Sequence, residues 1–297
     1  MGKPLIIGLG EILWDMLPGG KVLGGAPANF AYHCKQLGAA SFVVSAVGKD
    51  EAGKEILDLL DELHLSRDHI QVDEGHATGT VTVDLDAAGH PSYTIHEHVA
   101  WDHISVSEAT TELFRRADAV CFGSLAQRNT VSRKAVRAYL DVTKAGCLKI
   151  FDINLRQEFY NREILESSLL VADILKLNDE ELPVLSRMFS LHGGEDQILN
   201  ALAETFGFRI IALTRGSEGS TLIVGQERSD FRSEAVKSID TVGAGDSFTA
   251  SMVMGYLMGK PMVDIHRLSS DLAAFVCTQK GATPGLPESL TSEFKLI

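Results

Sequence analysis

Residues 148–178 read LKIFDINLRQEFYNREILESSLLVADILKLN. Two short, mainly apolar runs, LKIFDIN (148–154) and DILKLN (173–178), flank a helix-like pattern near 160–170. Runs of this kind lack a polar face, so they predict strands covered on both sides; strands separated by helices predict a parallel sheet. The alternation extends both ways. PLIIGL (4–9), SFVVSAV (41–47) and AVCFG (119–123) come before the pair and RIIALT (209–214) after it, with helical patterns near 27–38, 51–63, 129–145, 178–188 and 195–206. The fold class expected is α/β, a doubly wound and mainly parallel sheet with helices on both faces. Strand order is not written in this pattern.

One region breaks the alternation. In TGTVTVDL (78–85), Val81, Val83 and Leu85 share one face, with Thr80, Thr82 and Asp84 on the other. The turn-like DAAG (86–89) follows, and PSYTIHEH (91–98) alternates again. This predicts a two-stranded hairpin with one buried face. Such a hairpin has no place inside a parallel sheet, so it is expected to project, with the segment around 11–23, as a small β lid. The resulting division is a core of 1–10, 31–75 and 106–297 and a lid of 11–30 and 76–105.

The chain of 297 residues is 45% hydrophobic and 23% charged, ordinary for a globular protein. Forty acidic against 27 basic residues give a net charge of −13, which excludes a broad nucleic-acid surface, because phosphate backbones need a basic footprint. No run reaches the roughly 18–20 apolar residues of a membrane span. The opening MGKPLIIGLGEILWDML carries Glu11 and Asp15 and lacks a small-residue cleavage signal, so it reads as a first strand. Cys34, Cys121, Cys147 and Cys277 show no CxxC spacing, which argues against a zinc site or disulfide framework and for a cytoplasmic location.

Ligands of open α/β sheets bind beyond the carboxyl ends of the strands. Here those ends run into Glu11 and Asp15, into Asp152, Asn154 and Arg156, into Asn178 to Glu181, and into Thr214, Arg215, Gly216 and Gly219. Each group has an ordinary structural use as well, since Asn178 or Asp179 can cap the next helix. The sheet makes them converge, and that convergence is the site expected. GGAPANFA (24–31) opens a helix at about Ala28 with Asn29 in its first turn, or is a plain Gly-Gly turn with a nearby Pro.

DTVGAGDSF (240–248) leads into a helix over Asp246–Met258 that is apolar almost all round and therefore buried. Its first turn has N–H groups without intrahelical acceptors, and Gly243-Ala244-Gly245 leaves room for an anion to meet them. Asp246 is either a plain N-cap or a carboxylate held at that anion. Other chemistries lack their motifs: there is no GxxxxGK[ST], no GxSxG, and GLGEIL (8–13) fails the dinucleotide pattern at Leu13. His96-Glu97-His98 lacks HExxH spacing and reads as rim polarity.

DTVGAGDSF resembles the carboxyl-terminal signature of the ribokinase-like sugar kinases, the PfkB family, and GGAPANFA resembles the family's Gly-Gly signature. FDINLR, LKLNDEE, LTRGSEGS and FVCTQKGATPGLP are similar to family segments in family order, so the resemblance spans nearly the whole chain. VAWDHI (99–104) and VCTQKGATP look most like bacterial fructokinases. The resemblance implies an ATP-dependent sugar kinase, with fructose to fructose 6-phosphate foremost. Asp246 matches the general base, and Gly243, Ala244 and Gly245 the backbone anion hole. Asn178 and Glu181 match an NxxE element that influences phosphate and, indirectly, Mg2+. Thr214, Gly216 and Gly219 match the nucleotide loop, Asp15, Gly25 and Asn29 the sugar contacts, and Asn154 and Arg156 a segment near sugar and phosphates.

The implied partners are ATP with Mg2+ and a monosaccharide, with K+ a candidate activator and a homodimer through the lid a further expectation; nucleic acid and membrane are not among them. Two departures stand out: Arg215 replaces a residue usually apolar, and Ser269-Ser270-Asp271 stands where some relatives have Asn near the adenine. Another sugar or sugar acid, such as ribose or 2-keto-3-deoxygluconate, stays open as substrate. So does a non-catalytic sensor on the same scaffold, although the intact Gly-Ala-Gly-Asp counts against it.

Overall fold

The computed structural model describes residues 2–17, 19–85, 91–232 and 236–295, so the expected DAAG turn lies outside the described residues. The chain runs through β1 (Leu5–Leu9), β2 (Leu13–Leu17), β3 (Gly20–Gly24), α1 (Ala26–Gln36), β4 (Ala40–Gly48), α2 (Glu51–Glu62), β5 (Ile70–Asp73), β6 (Gly79–Leu85) and β7 (Pro91–Ile95). It continues through α3 (Glu108–Arg116), β8 (Ala119–Phe122), α4 (Thr130–Asp141), β9 (Leu148–Asp152), α5 (Arg162–Leu169), β10 (Ile174–Asn178) and α6 (Glu181–Phe189). Last come α7 (Glu195–Phe206), β11 (Ile210–Thr214), β12 (Ser220–Val224), β13 (Glu227–Phe231), α8 (Ala244–Leu257) and α9 (Met262–Cys277).

All six strands read from the sequence stand side by side in a nine-stranded sheet of order β13-β12-β11-β10-β9-β8-β1-β4-β5. Pairs from β11 to β5 are parallel, and β12 and β13 turn back antiparallel at one edge. Three strands of this sheet escaped the sequence pattern: the edge strands β5 and β13, which are only partly buried, and β12, which is buried between β11 and β13. Along the central strands neighbours point to opposite layers, as a period of two requires. Ile7, Val120, Phe151 and Leu175 pack with Phe114, Val136, Leu165, Leu185 and Leu199 of α3–α7. Ile6, Cys121, Ile150 and Ile174 pack with Phe30, Phe248, Met252 and Leu268 of α1, α8 and α9. Helices therefore cover both faces, as a doubly wound sheet demands.

Two helix starts differ from expectation. α8 begins at Ala244, two residues before Asp246, because Gly243 takes φ 79° and serves as the N-cap. α1 begins at Ala26 rather than Ala28, behind Gly25 at φ 116°, with Pro27 in the first turn. Phe248, Ala250, Met252, Val253 and Met254 of α8 are at most 2% exposed. Burying such a side chain is worth roughly 1.5–3 kcal/mol for the larger residues, so α8 is a firm base for the turn ahead of it.

The second sheet has four strands in the order β3-β2-β6-β7: the expected hairpin, β6 and β7, is joined by β2 and β3 from the segment around 11–23. β6 and β7 pair antiparallel from Val81↔Ile95 to Leu85↔Pro91, and β2 joins β6 in parallel through Asp15↔Val81. β7 stops at Ile95 rather than running to 98, because His98 at φ 57° bends the chain towards a short helix over Ala100–His103. Val81 and Ile95 are buried, while Leu17 and Tyr93, on the same face by register, are exposed. Among the described residues no helix is long and apolar enough to cross a membrane.

Candidate active site

Hydrogen bonds tie the strand exits together at one edge of the large sheet. Leu155 N–H, beyond β9, donates to Glu181 at 2.9 Å, and Asp179 N–H, beyond β10, donates to Thr214 O at 3.1 Å. Thr249 Oγ1 of α8 meets Asp152 Oδ2 at 3.1 Å, and Asn29 Nδ2 of α1 donates to Asp246 Oδ2 at 2.8 Å.

At the start of α8 the N–H groups of Gly243, Gly245 and Asp246 have no acceptor among the described residues, and Ala244 makes only a long 3.3 Å contact to Thr241 O. This is the open end of a buried helix, with its dipole behind it. The two glycines have separate reasons. Gly243 adopts φ 79°, and a Cβ on it would lie 2.7 Å from Ala282 atoms. A Cβ on Gly245 would lie 2.8 Å from Lys176 Nζ. The expectation that both simply clear the anion's approach is therefore incomplete.

Asp246 keeps some surface on the cleft, yet burial of its carboxyl raises its pKa to about 6. The charge of Asp152 adds to the rise, and the Asn29 hydrogen bond, Lys176 and Arg156 oppose it. Glu11 is 2% exposed, its Oε2 has no partner among the described residues, and burial raises its pKa to about 7. N–H groups of Glu11 and Ala26 and the charge of Arg156 pull that value down, while Asp246 pushes it up. Asp15 on β2 is raised to about 6 by burial, against Arg156. The charge of Arg156, on the exposed turn that follows Asn154 (itself at φ 47°), thus lowers the proton affinity of all three carboxylates. Gly24 and Gly25 sit against this group: a Cβ on either would lie 2.4 Å from Asp15 Oδ2 or Glu11 O, respectively.

Asn178 and Glu181 cap one another. Asn178 Oδ1 accepts from Glu181 N–H at 2.9 Å, Glu181 accepts from Asn178 N–H at 2.8 Å, and the other Glu181 oxygen takes Leu155 N–H. Next to them, Thr214 ends β11 and leads into Gly216 at φ 52° and Gly219 at φ 106°, where a Cβ would strike Phe231 O at 2.0 Å. Arg215 turns away, bound to Glu195 and to Thr221 Oγ1 at 2.8 Å, so it holds the loop to α7. Ser269 and Ser270 are buried in α9, and Asp271 pairs with Arg267 at 3.3 Å.

Lys176 and Thr249 escaped the sequence reading, and Glu11 and Asp152 appeared there only as strand exits. A signal existed for Lys176, a charge inside a central strand, since charges are rarely buried without a partner.

The pfkB family carbohydrate kinase model matches residues 19–289. The chain is 31% identical to an uncharacterized sugar kinase of Pyrococcus horikoshii over 277 residues, covering 90% of this chain and 85% of that one. It is 30% identical to a fructokinase of Salmonella typhimurium, covering 94% and 95%. The Pyrococcus horikoshii enzyme in complex with ATP superposes with a TM-score of 0.78 at 28% identity, over 94% of each chain. A fructokinase of Xylella fastidiosa with bound ATP shares the fold, with a TM-score of 0.82 at 21% identity over 99% and 98%. The chain belongs to the PfkB family of carbohydrate kinases, with the ribokinase-like fold.

Proposed function

We propose that this chain transfers the γ-phosphoryl group of ATP to a monosaccharide hydroxyl, with fructose to fructose 6-phosphate as the leading reaction. The observation that carries the reading is Asp246, of raised proton affinity, in a helix start where the N–H groups of Gly243, Gly245 and Asp246 have no acceptor among the described residues. Phosphoryl transfer is catalysed mainly by positioning and by stabilising charge. Asn29 holds Asp246 Oδ2, which leaves Oδ1 to take the proton of the attacking hydroxyl. The new O–P bond forms as the bond to the ADP oxygen breaks, and the N–H groups of the Gly243-Ala244-Gly245 turn receive the phosphoryl oxygens.

Asp15, Gly25, Asn29, Asn154 and Arg156 gather on the sugar side; Asn178, Thr214, Gly216 and Gly219 form the nucleotide side. The fructokinase relatives support fructose, and the ATP complex of the Pyrococcus horikoshii relative supports the donor. Mg2+ would neutralise the ATP phosphates. Glu181, with both oxygens on backbone N–H groups, suits an indirect role in holding it. K+ remains a candidate activator. The small sheet acts as a lid that shuts water out over the sugar, the second part of a core-and-lid division.

The test is ADP release from Mg-ATP across a panel of sugars. Release that depends on fructose is expected. Faster release with ribose or 2-keto-3-deoxygluconate would move the assignment to that substrate, and silence across the panel would favour a sensor.

A further inference from the structure

Beneath the glycine turn lies a charge that the phosphoryl-transfer reading leaves idle. The Lys176 side chain, on central strand β10, is only 10% exposed, and Nζ donates to Asp152 Oδ1 at 3.1 Å. Asp152 Oδ2 is in turn met by Thr249 Oγ1, which also lies 2.9 Å from Gly245 O. An ammonium has three donors, and buried donors are normally satisfied. Among the described residues Nζ finds this single acceptor. The position of Gly245 locates the ammonium: a Cβ there would stand 2.8 Å from Nζ, so the charge presses against the first turn of α8. The unpartnered N–H groups of Gly245 and Asp246 belong to that same turn.

We propose that Lys176 is a positioning residue for the transfer, a fixed positive charge under the Gly-Ala-Gly turn that draws the transferring phosphoryl group onto the helix start. Asp152 and Thr249 hold the ammonium in place, and Gly245 is glycine so that it fits. Burial pushes the lysine towards its neutral form, but Asp152, Glu181 and Asp246 outweigh it and the charge is kept. A preorganised charge in a water-poor site acts more strongly on a developing anion than one in solvent. The chain has no lysine in P-loop spacing; this one approaches from the sheet.

The inference rests on the anion-hole reading, and the two fail separately. The experiment compares Lys176→Met, the double variant Asp152→Asn/Lys176→Met and Asp246→Asn in the full chain, with Mg-ATP and the best sugar of the panel. Lys176→Met is expected to lower kcat by about 10²-fold, the scale of a lost oxyanion donor, with the sugar KM within about threefold. The acid limb of its kcat/KM profile moves to higher pH, because the lysine no longer favours ionised Asp246. The double variant replaces a buried ion pair with neutral groups, which proteins often tolerate, so it should melt like the wild type and still be slow. A double variant that recovers kcat to within about threefold of wild type would overturn the proposal, since the lysine would then serve only to neutralise Asp152. Fast turnover by Asp246→Asn would instead refute the base.

Discussion

Asp246 and Glu11 are two carboxylates whose proton affinity burial raises alike, and the proposed reaction would use only Asp246 as its base. As the base, Asp246 must be ionised, so kcat/KM should fall as pH drops through about 6, its raised pKa. Asp246→Asn should keep the fold and lose roughly 10²- to 10⁴-fold in turnover, the range for a general base, by steady-state assay. Unchanged turnover would remove Asp246 from the mechanism. Glu11 offers a stability test. Its folded pKa of about 7 lies above the ordinary carboxyl value, so its favourable contribution is complete only below that ordinary value and is lost as pH rises through about 7. Glu11→Gln should therefore stabilise the protein more at pH 8 than at pH 5, by on the order of 2 kcal/mol in urea unfolding. An equal effect at both values would show that the buried carboxylate stays ionised throughout. Asp246 was legible in the sequence because glycines and a buried helix flank it. The burial of Glu11 was not, since the Gly24-Gly25 turn that closes over it is joined to it only through the small sheet.

At the scale of elements, the turn and α8 act together. Gly243 combines φ 79° with backbone of Ala282 where a Cβ would stand. Gly243→Ala is expected to cost about 1–3 kcal/mol of stability, the usual strain of such a position, and to displace the N–H groups behind it. Thermal unfolding and the sugar assay together check this: turnover should drop at least about 10²-fold while far-UV circular dichroism stays near wild type. Wild-type turnover would mean that the N–H groups are not where the phosphoryl oxygens bind. The sequence announced this helix by its all-round apolarity and the six central strands by their lack of a polar face. It misplaced the helix starts by two residues, because positive-φ N-caps at Gly25 and Gly243 depend on what packs against them.

For the whole molecule, the small sheet leaves Leu17 at 41% and Tyr93 at 56% exposure on one face. Large apolar side chains rarely gather on a surface without a partner. A lid-to-lid homodimer would cover them, so light scattering should give twice the chain mass, and Leu17→Glu/Tyr93→Glu should halve it. A wild type with the mass of one chain at all concentrations would rule the dimer out.

Periodicity and local motif, both short-range, carried the α/β class, the central strands, the glycine turn ahead of α8 and the family resemblance, because backbone pattern and glycine placement are set by neighbours in the chain. Strand order, the parallel β2–β6 pair of the four-stranded small sheet and the buried Lys176–Asp152–Thr249 group came only with the tertiary structure. Asp152 and Thr249 are 97 positions apart, and their contact exists because α8 packs across the end of β9. Burial, and with it the proton affinity of each carboxylate, depends on such distant neighbours, which no local pattern contains.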